Sequence, residues 1–151
     1  MFARPLAERL LVIAFALTFY CLGTTSFEAF VNYRTWPLIG AAEFRAYHRA
    51  LTPLVVRVML IPIAVYFLSL LALLVLRPTN APWWLLATSF ALLLLAIISS
   101  GCIQVPIQAA LDRDGLSLPL IERLIVSDLA LRKLPLALNA LLWLGLFWRR
   151  A

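Results

Sequence analysis

Polar side chains interrupt the apolar runs of this chain at a spacing that pairs them on one face of a helix. Glu28 precedes Asn32 by four residues, and residues four apart are neighbours on a helix surface. Charged or strongly polar groups are costly in an apolar helix, so each is a candidate for function. The same spacing recurs in two further pairs, Gln104 with Gln108 and Asp128 with Arg132.

The single histidine, His48, is the residue best suited to acid–base chemistry. An imidazole exchanges its proton near neutral pH, as a general base must. Arg45 and Arg49 flank it, and a guanidinium there would stabilise an enolate or phenolate as it forms. Aromatic residues close by would form the wall for a flat, apolar ligand: Tyr33, Trp36 and Tyr47.

Each of these residues also has a purely structural interpretation. Glu28 would pair with Arg34 or Arg57 at the level of the lipid headgroups. Asp128 would occupy the first turn of a helix, where a carboxylate meets the positive end. The glutamines would form interhelical hydrogen bonds, and His48 would face water. These alternatives stay open, but the candidates gather at one end of the predicted fold, which favours a shared site.

Other chemistries lack the residues that they need. His48 with Glu28 and either Glu43 or Asp128 would give a mixed nitrogen–oxygen metal site, but no second histidine supports it. One histidine also excludes haem held by two. Neither a Gly-x-Ser-x-Gly motif nor a glycine-rich phosphate loop occurs. We therefore expect no metal ligands and no cofactor, with a single metal ion as the alternative.

Four apolar runs must position these residues. The composition is 64% hydrophobic, against ~45–50% in soluble domains. Each run has about 20 residues or more, which matches about 30 Å of hydrocarbon. The sequence predicts a single all-α integral membrane domain over residues 1–151, a four-transmembrane-helix antiparallel bundle. Its spans are expected at about residues 10–30, 53–76, 82–105 and 129–148.

The connections are expected to differ between the two faces of the bundle. An even number of spans places both termini and the short turn RPTNAP on one face. Two longer interfacial connections lie on the other, where AAEFRAYHRAL and LPLIERLIV are expected to form short helices. Between the two faces, the predicted spans contain almost only aliphatic residues and Phe. No continuous line of polar residues crosses them, which argues against an ion channel or a proton pump.

The charged residues of the chain help to predict its binding partners and its orientation in the membrane. The net charge is +6, from 13 Lys and Arg against 7 Asp and Glu. The arginines stand at the ends of apolar runs, where they meet lipid headgroups, so we expect a bilayer and no nucleic acid as partner. The terminal face has the cleaner positive charge, which predicts cytoplasmic termini in the cell membrane. The sequence leaves association into a homo-oligomer open.

The second half of the chain carries a family resemblance. After the third run it reads CIQVPIQAALDRDGLS, and then LIVSDLALRKLP. This resembles the anthrone-oxygenase-like family of small four-helix membrane proteins, which has a motif of the form Asn-x-Pro-x-Asn followed by a Leu-Arg pair. The positions here are Gln104, Pro106 and Gln108, with Gln in place of Asn, and Leu131-Arg132. The resemblance implies a cofactor-independent oxygenase that acts on polycyclic anthrones.

The leading hypothesis is a membrane enzyme, similar to oxygenases or oxidoreductases, that acts on a lipophilic small molecule of aromatic or quinone-like type. Catalysis is assigned to His48 as base, with Glu28 and Arg49. A small-molecule transporter or binding protein that uses Glu28 is the first alternative, and a non-catalytic accessory subunit is the second. Substrate-binding residues are expected to be Asn32, Tyr33, Trp36, Arg45, Tyr47, Gln104, Gln108, Asp128 and Arg132.

Overall fold

Four long helices make up nearly all of the fold. The computed structural model describes residues 3–148, with side chains for residues 5–148. Each helix is long and apolar enough to cross a membrane, and no strand occurs within residues 3–148. The predicted all-α, four-helix fold is confirmed. The helices are α1 (Pro5–Leu38), α2 (Ala41–Leu76), α3 (Trp83–Asp114) and α4 (Leu118–Trp148).

The helices form a closed bundle in which each packs against the next and α1 packs against α4. Short links at residues 39–40, 77–82 and 115–117 make consecutive helices antiparallel neighbours. Gly115 ends α3 with a φ of 93°, a backbone conformation that a side chain would strain.

The two long connections predicted from the sequence are wrong, because these segments continue the helices. AAEFRAYHRAL begins α2, and LPLIERLIV begins α4. Both are amphipathic, and they bury Phe44, Ile121 and Leu124 in one apolar core, which holds them in the bundle. Pro53, the first residue of the second predicted span, therefore lies inside α2. We call this end of the bundle the cap: residues 33–38, Ala41–Val55, Val105–Asp114 and Leu118–Asp128.

Each helix contains one π-helical turn where it meets the cap. In α3, the N–H of Val105 bonds to the carbonyl of Ser100, five residues back instead of four. A π turn holds one residue more than an α turn, so the helix bulges while the segments on both sides keep their faces. The four turns are Glu28–Asn32, Val56–Leu60, Ser100–Gln104 and Leu129–Lys133.

Prolines account for three of these π turns. Pro62, Pro106 and Pro135 each follow the residue whose N–H closes the turn. A proline has no N–H to donate, and its ring crowds the carbonyl four residues earlier. That carbonyl loses its α-helical partner, and the backbone adopts the wider turn instead.

Hydroxyl groups from neighbouring helices donate hydrogen bonds to two of the carbonyls that lack an α-helical partner. The Tyr20 hydroxyl donates to the carbonyl of Val58, four residues before Pro62, at 3.1 Å. The Ser99 hydroxyl lies 3.1 Å from the carbonyl of Leu131, four residues before Pro135. Such side chains make helix-breaking residues tolerable where no water is available.

Deletion of Cys102 tests the explanation that a π turn holds one residue more than an α turn. Cys102 is exposed and lies in the π turn of α3, so removing it should leave an α turn with both flanking segments still in register. Because Pro106 still crowds the carbonyl four residues before it, we expect unchanged helical circular dichroism in detergent with a melting temperature somewhat below that of the wild type. Deleting Leu95, an exposed residue in the regular part of α3, rotates the flanks by about 100° and should unfold the bundle. Equal loss in the two deletions would contradict the explanation.

Candidate functional site

A cavity of about 870 Å³ lies between α2 and α3 and reaches into the cap. Its walls are apolar over most of their length, and polar side chains are concentrated at the cap end. Exposed side chains such as Leu60 and Val105 line its rim, so it opens on the apolar outer surface of the bundle. Every π turn contributes to the wall, through Glu28, Met59, Gln104 and Arg132 among others.

His48 lies at the cap end of this cavity and is held from several sides. Its Nδ1 is 2.6 Å from Oδ1 of Asp112, and its Nε2 is 2.6 Å from Oε1 of Gln108. The ring stacks on Phe44 and meets the Trp36 ring edge to face. Only 3% of His48 is exposed, so its position is fixed by packing as well as by hydrogen bonds.

The Gln108 amide can face His48 in two orientations. With Oε1 toward the ring, both ring nitrogens face acceptors, and after a half-turn the amide N–H would face Nε2. In both arrangements Asp112 accepts a hydrogen bond from Nδ1–H and orients the imidazole, as a carboxylate does for a catalytic histidine.

The hydrogen-bonded chain continues from Gln108 to the other side of the bundle. Nε2 of Gln108 is 3.4 Å from the Tyr33 hydroxyl, and a guanidinium nitrogen of Arg132 donates to the same hydroxyl at 3.2 Å. Tyr33 is almost fully buried. The chain from Asp112 through His48 to Arg132 therefore contains residues of all four helices.

Arg132 belongs to a buried group of ionic side chains on α4. It contacts Asp128, which also accepts a hydrogen bond from Lys133, and Asp128 is 0% exposed. The interpretation of Asp128 as a first-turn residue is wrong, because α4 begins at Leu118 and Asp128 lies well inside it. A buried carboxylate needs partners of opposite charge, and these two cations provide them.

Glu28 is the second buried acid near this group. Its Oε2 accepts a hydrogen bond of 2.7 Å from the Asn32 amide, as their spacing of four predicts. The alternative in which it pairs with Arg34 or Arg57 is not seen, and both arginines are exposed. Its carboxyl group lies in the electrostatic field of Arg132 and Lys133, so it belongs to the same group of two acids and two bases.

Two further wall residues carry polar atoms without a partner in the described part of the chain. Nε2 of Gln104 is 3.4 Å from the Ser127 hydroxyl, but its Oε1 is buried and accepts no hydrogen bond. Nε1 of Trp36 is likewise buried and donates none. A buried acceptor and a buried donor without partners are costly, and a ligand would reach them only after these side chains shift.

Some predicted site residues lie away from the cavity. Arg45, Tyr47 and Arg49 are exposed on the outer face of α2, because only the His48 face of this helix turns inward. Arg49 donates to the backbone carbonyl of Asp112 and does not line the cavity. Asn32 and Asp128 lie behind the wall and hold wall residues in place. The predicted residues on the wall are Glu28, Tyr33, Trp36, His48, Gln104, Gln108 and Arg132.

Asp112 lines the cavity and orients His48, and it is not among the site residues predicted from the sequence. The signal was present, because Gln104, Gln108 and Asp112 follow one another at intervals of four. Asp112 had been placed in a connection instead of a helix. Lys133 was missed for a different reason: its role depends on burial, which spacing alone does not reveal.

The centre of the bundle is less apolar than expected. Tyr66 is fully buried there, and its hydroxyl lies 2.7 Å from the Thr18 hydroxyl and accepts a hydrogen bond of 3.0 Å from the Asn139 amide. The same amide donates to the backbone carbonyl of Ser89 at 3.1 Å. This second polar cluster joins all four helices, and none of its residues lines the cavity.

Within residues 5–148, no three His, Cys, Asp or Glu side chains come together as a metal site would require. The chain matches no family model, no curated protein and no solved structure at a significant level. The resemblance to anthrone oxygenases therefore depends on the quoted residues of the sequence.

Substituting Asn for Asp128 tests the buried ionic group. The change leaves Arg132 and Lys133 buried without their carboxylate, and we expect the free energy of unfolding to fall by about 3–5 kcal/mol. Chemical denaturation in detergent measures it. The control is Asp114→Asn, which breaks an exposed pair with Arg113 and should change nothing measurable. Similar stability of the two variants would contradict this role of Asp128.

Proposed function

We propose that the chain is a multi-pass protein of the cell membrane with both termini in the cytoplasm. The supporting observation is the outer surface, where four helices of 31 to 36 residues expose aliphatic side chains along most of their length. The terminal side carries Arg9 and Arg77 with Glu8 as the nearby acid, which fits the excess of positive charge on cytoplasmic faces.

Reporter fusions test this orientation. A reporter that is active only in the cytoplasm should work when fused after residue 151 and fail when inserted in the link at residues 115–117. A reporter that is active only outside the cytoplasm should give the opposite pattern. A reversed result would invert the proposed topology, and activity of one reporter at both positions would contradict an even number of spans.

Within the membrane, we propose an enzyme of the oxygenase or oxidoreductase type that acts on a lipophilic aromatic or quinone-like molecule. The observation that carries this proposal is the His48–Asp112 pair at the polar end of an apolar cavity. A carboxylate-oriented imidazole is suited to remove a proton from carbon or oxygen. To reach Nε2 of His48, a substrate would displace the Gln108 amide.

The reaction implied by the family resemblance illustrates the chemistry. His48 takes a proton from the methylene carbon of an anthrone, and the electron pair moves toward the carbonyl oxygen as an enolate. The carbanion gives its electrons to dioxygen and forms a hydroperoxide, which loses water to give the anthraquinone. One anthrone and one dioxygen thus become one quinone and one water, without a cofactor.

The anion-stabilising role passes from Arg49 to Tyr33 in this proposal. Arg49 is exposed, whereas Tyr33 belongs to the wall and its hydroxyl accepts a hydrogen bond from Arg132. A hydroxyl polarised by a guanidinium is a strong donor to a developing oxyanion. Glu28 and Gln104 would orient the ring of the substrate from the opposite part of the wall.

Substitution of His48 tests the enzyme directly. The measurement is oxygen uptake and quinone absorbance with an anthrone in lipid nanodiscs. We expect His48→Gln to lower the rate by about 10²–10⁴-fold, the usual contribution of a general base. The control is Arg45→Gln on the exposed face of the same helix, which should retain the wild-type rate.

An unchanged rate in His48→Gln would remove His48 from the mechanism. The transporter alternative draws on Glu28, a buried acid on the cavity wall. Substrate-dependent proton flux in proteoliposomes that disappears in Glu28→Gln, without any quinone formed, would favour transport over catalysis.

A further inference from the structure

We propose that the cavity binds a neutral amphiphile with a long apolar tail, a quinol or quinone that carries an alkyl or isoprenoid chain. The ring would lie at the cap end beside His48, and the chain would run between α2 and α3. This inference rests on the proposed function and names the class of substrate more narrowly.

The length of the cavity requires the tail. On α2 the wall extends from His48 to Leu68, and on α3 from Leu93 to Asp112. At a rise of 1.5 Å per residue, each of these stretches is about 28–30 Å long. Three fused rings occupy less than half of that length. The remaining wall is lined by aliphatic and aromatic side chains such as Ile63 and Phe67, which suit a hydrocarbon chain.

The charges around the cavity favour a neutral head. Arg132 and Lys133 are both paired with Asp128. Asp112 is paired with His48. No cation on the described wall is left to neutralise a phosphate or a carboxylate, and an unpaired anion would be costly here. A phospholipid or a fatty acid therefore fits less well than a quinol.

Polar atoms at the cap end match such a head. Nε2 of His48 and Oε1 of Gln108 meet at 2.6 Å, and both residues belong to the wall. A ring oxygen that displaced the Gln108 amide would form a hydrogen bond with His48.

The position of the cavity relative to the bilayer fits an amphiphile. Arg57 on α2 and Arg77 directly after α2 are both exposed, and the apolar stretch between them is about 30 Å long, the thickness of the hydrocarbon. If these arginines mark the two edges of the hydrocarbon, Leu68 lies within it and His48 lies outside it, about 13 Å beyond Arg57 along the helix. The exposed rim residues Leu60 and Val105 then face lipid, so a tail enters sideways from the membrane.

A bulky side chain at Gly101 tests the tail. Gly101 lines the cavity between its two ends, and a Cβ there meets nothing within 4 Å, so Gly101→Leu adds bulk to the wall at a point where the backbone leaves room for a side chain. Gly145→Leu is the matched control, because Gly145 has the same open space but lies outside the wall. The probes are a decyl-substituted benzoquinone, the same ring without the chain, and palmitate. Each probe is titrated into nanodiscs, and its dissociation constant is expressed in terms of its concentration in the lipid.

For the decyl quinone, we expect Gly101→Leu to weaken binding at least about tenfold, or 1.4 kcal/mol, and Gly145→Leu to leave it unchanged. The tail-free ring should bind both variants like the wild type, and palmitate should bind weakly to all three. Equal binding of the decyl quinone by the two leucine variants would overturn the tail assignment. Tight binding of palmitate would overturn the neutral head.

The outcomes separate this inference from the proposed function. Loss of decyl-quinone binding in Gly101→Leu with an unchanged anthrone rate in His48→Gln would support the binding site and refute the catalytic role. Normal binding of the tail-free ring with no effect of Gly101→Leu would refute the tail and leave the enzyme proposal intact.

Discussion

The structure depends on one constraint: the hydrogen bonds of a helix backbone must be satisfied where the surroundings are apolar. Three prolines break this pattern, each immediately after the close of a π turn. Hydroxyl groups of Tyr20 and Ser99 meet two of the carbonyls that lose their partners. The π turns fall at one depth in all four helices, and each supplies part of the cavity wall. The space for a ligand thus arises where the regular helix geometry gives way.

The same constraint explains why the polar residues form connected groups. In a water-poor interior, an unpaired charge costs far more than a paired one, so Asp128 is buried with two cations. That pairing holds Arg132 against Tyr33, and Tyr33 in turn reaches the Gln108 amide beside His48. The buried ionic group of Asp128, Arg132 and Lys133 therefore also positions the residues that face the cavity.

The sequence was sufficient for the coarse fold, because four long apolar runs leave few arrangements other than a helical bundle. It also placed the polar residues at one end, since spacings of four on a helix are unambiguous. It could not show that the cap segments continue α2 and α4, because a proline such as Pro53 is compatible with either a helix start or a helix interior. Asp112 was missed for that reason. Arg45, Tyr47 and Arg49 were misplaced relative to the cavity because proximity in sequence to His48 does not determine which face of the helix turns inward.

The proposed site depends most directly on where the ring of an amphiphile lies, and an experimental structure of the protein in nanodiscs with bound decyl benzoquinone measures this position. We predict the ring at the cap end, within hydrogen-bonding distance of Gln104 or His48, and the chain between α2 and α3. Contact between α2 and α3 along their π turns, with no cavity, would contradict it. A ring bound outside the bundle, away from His48, would contradict it as well.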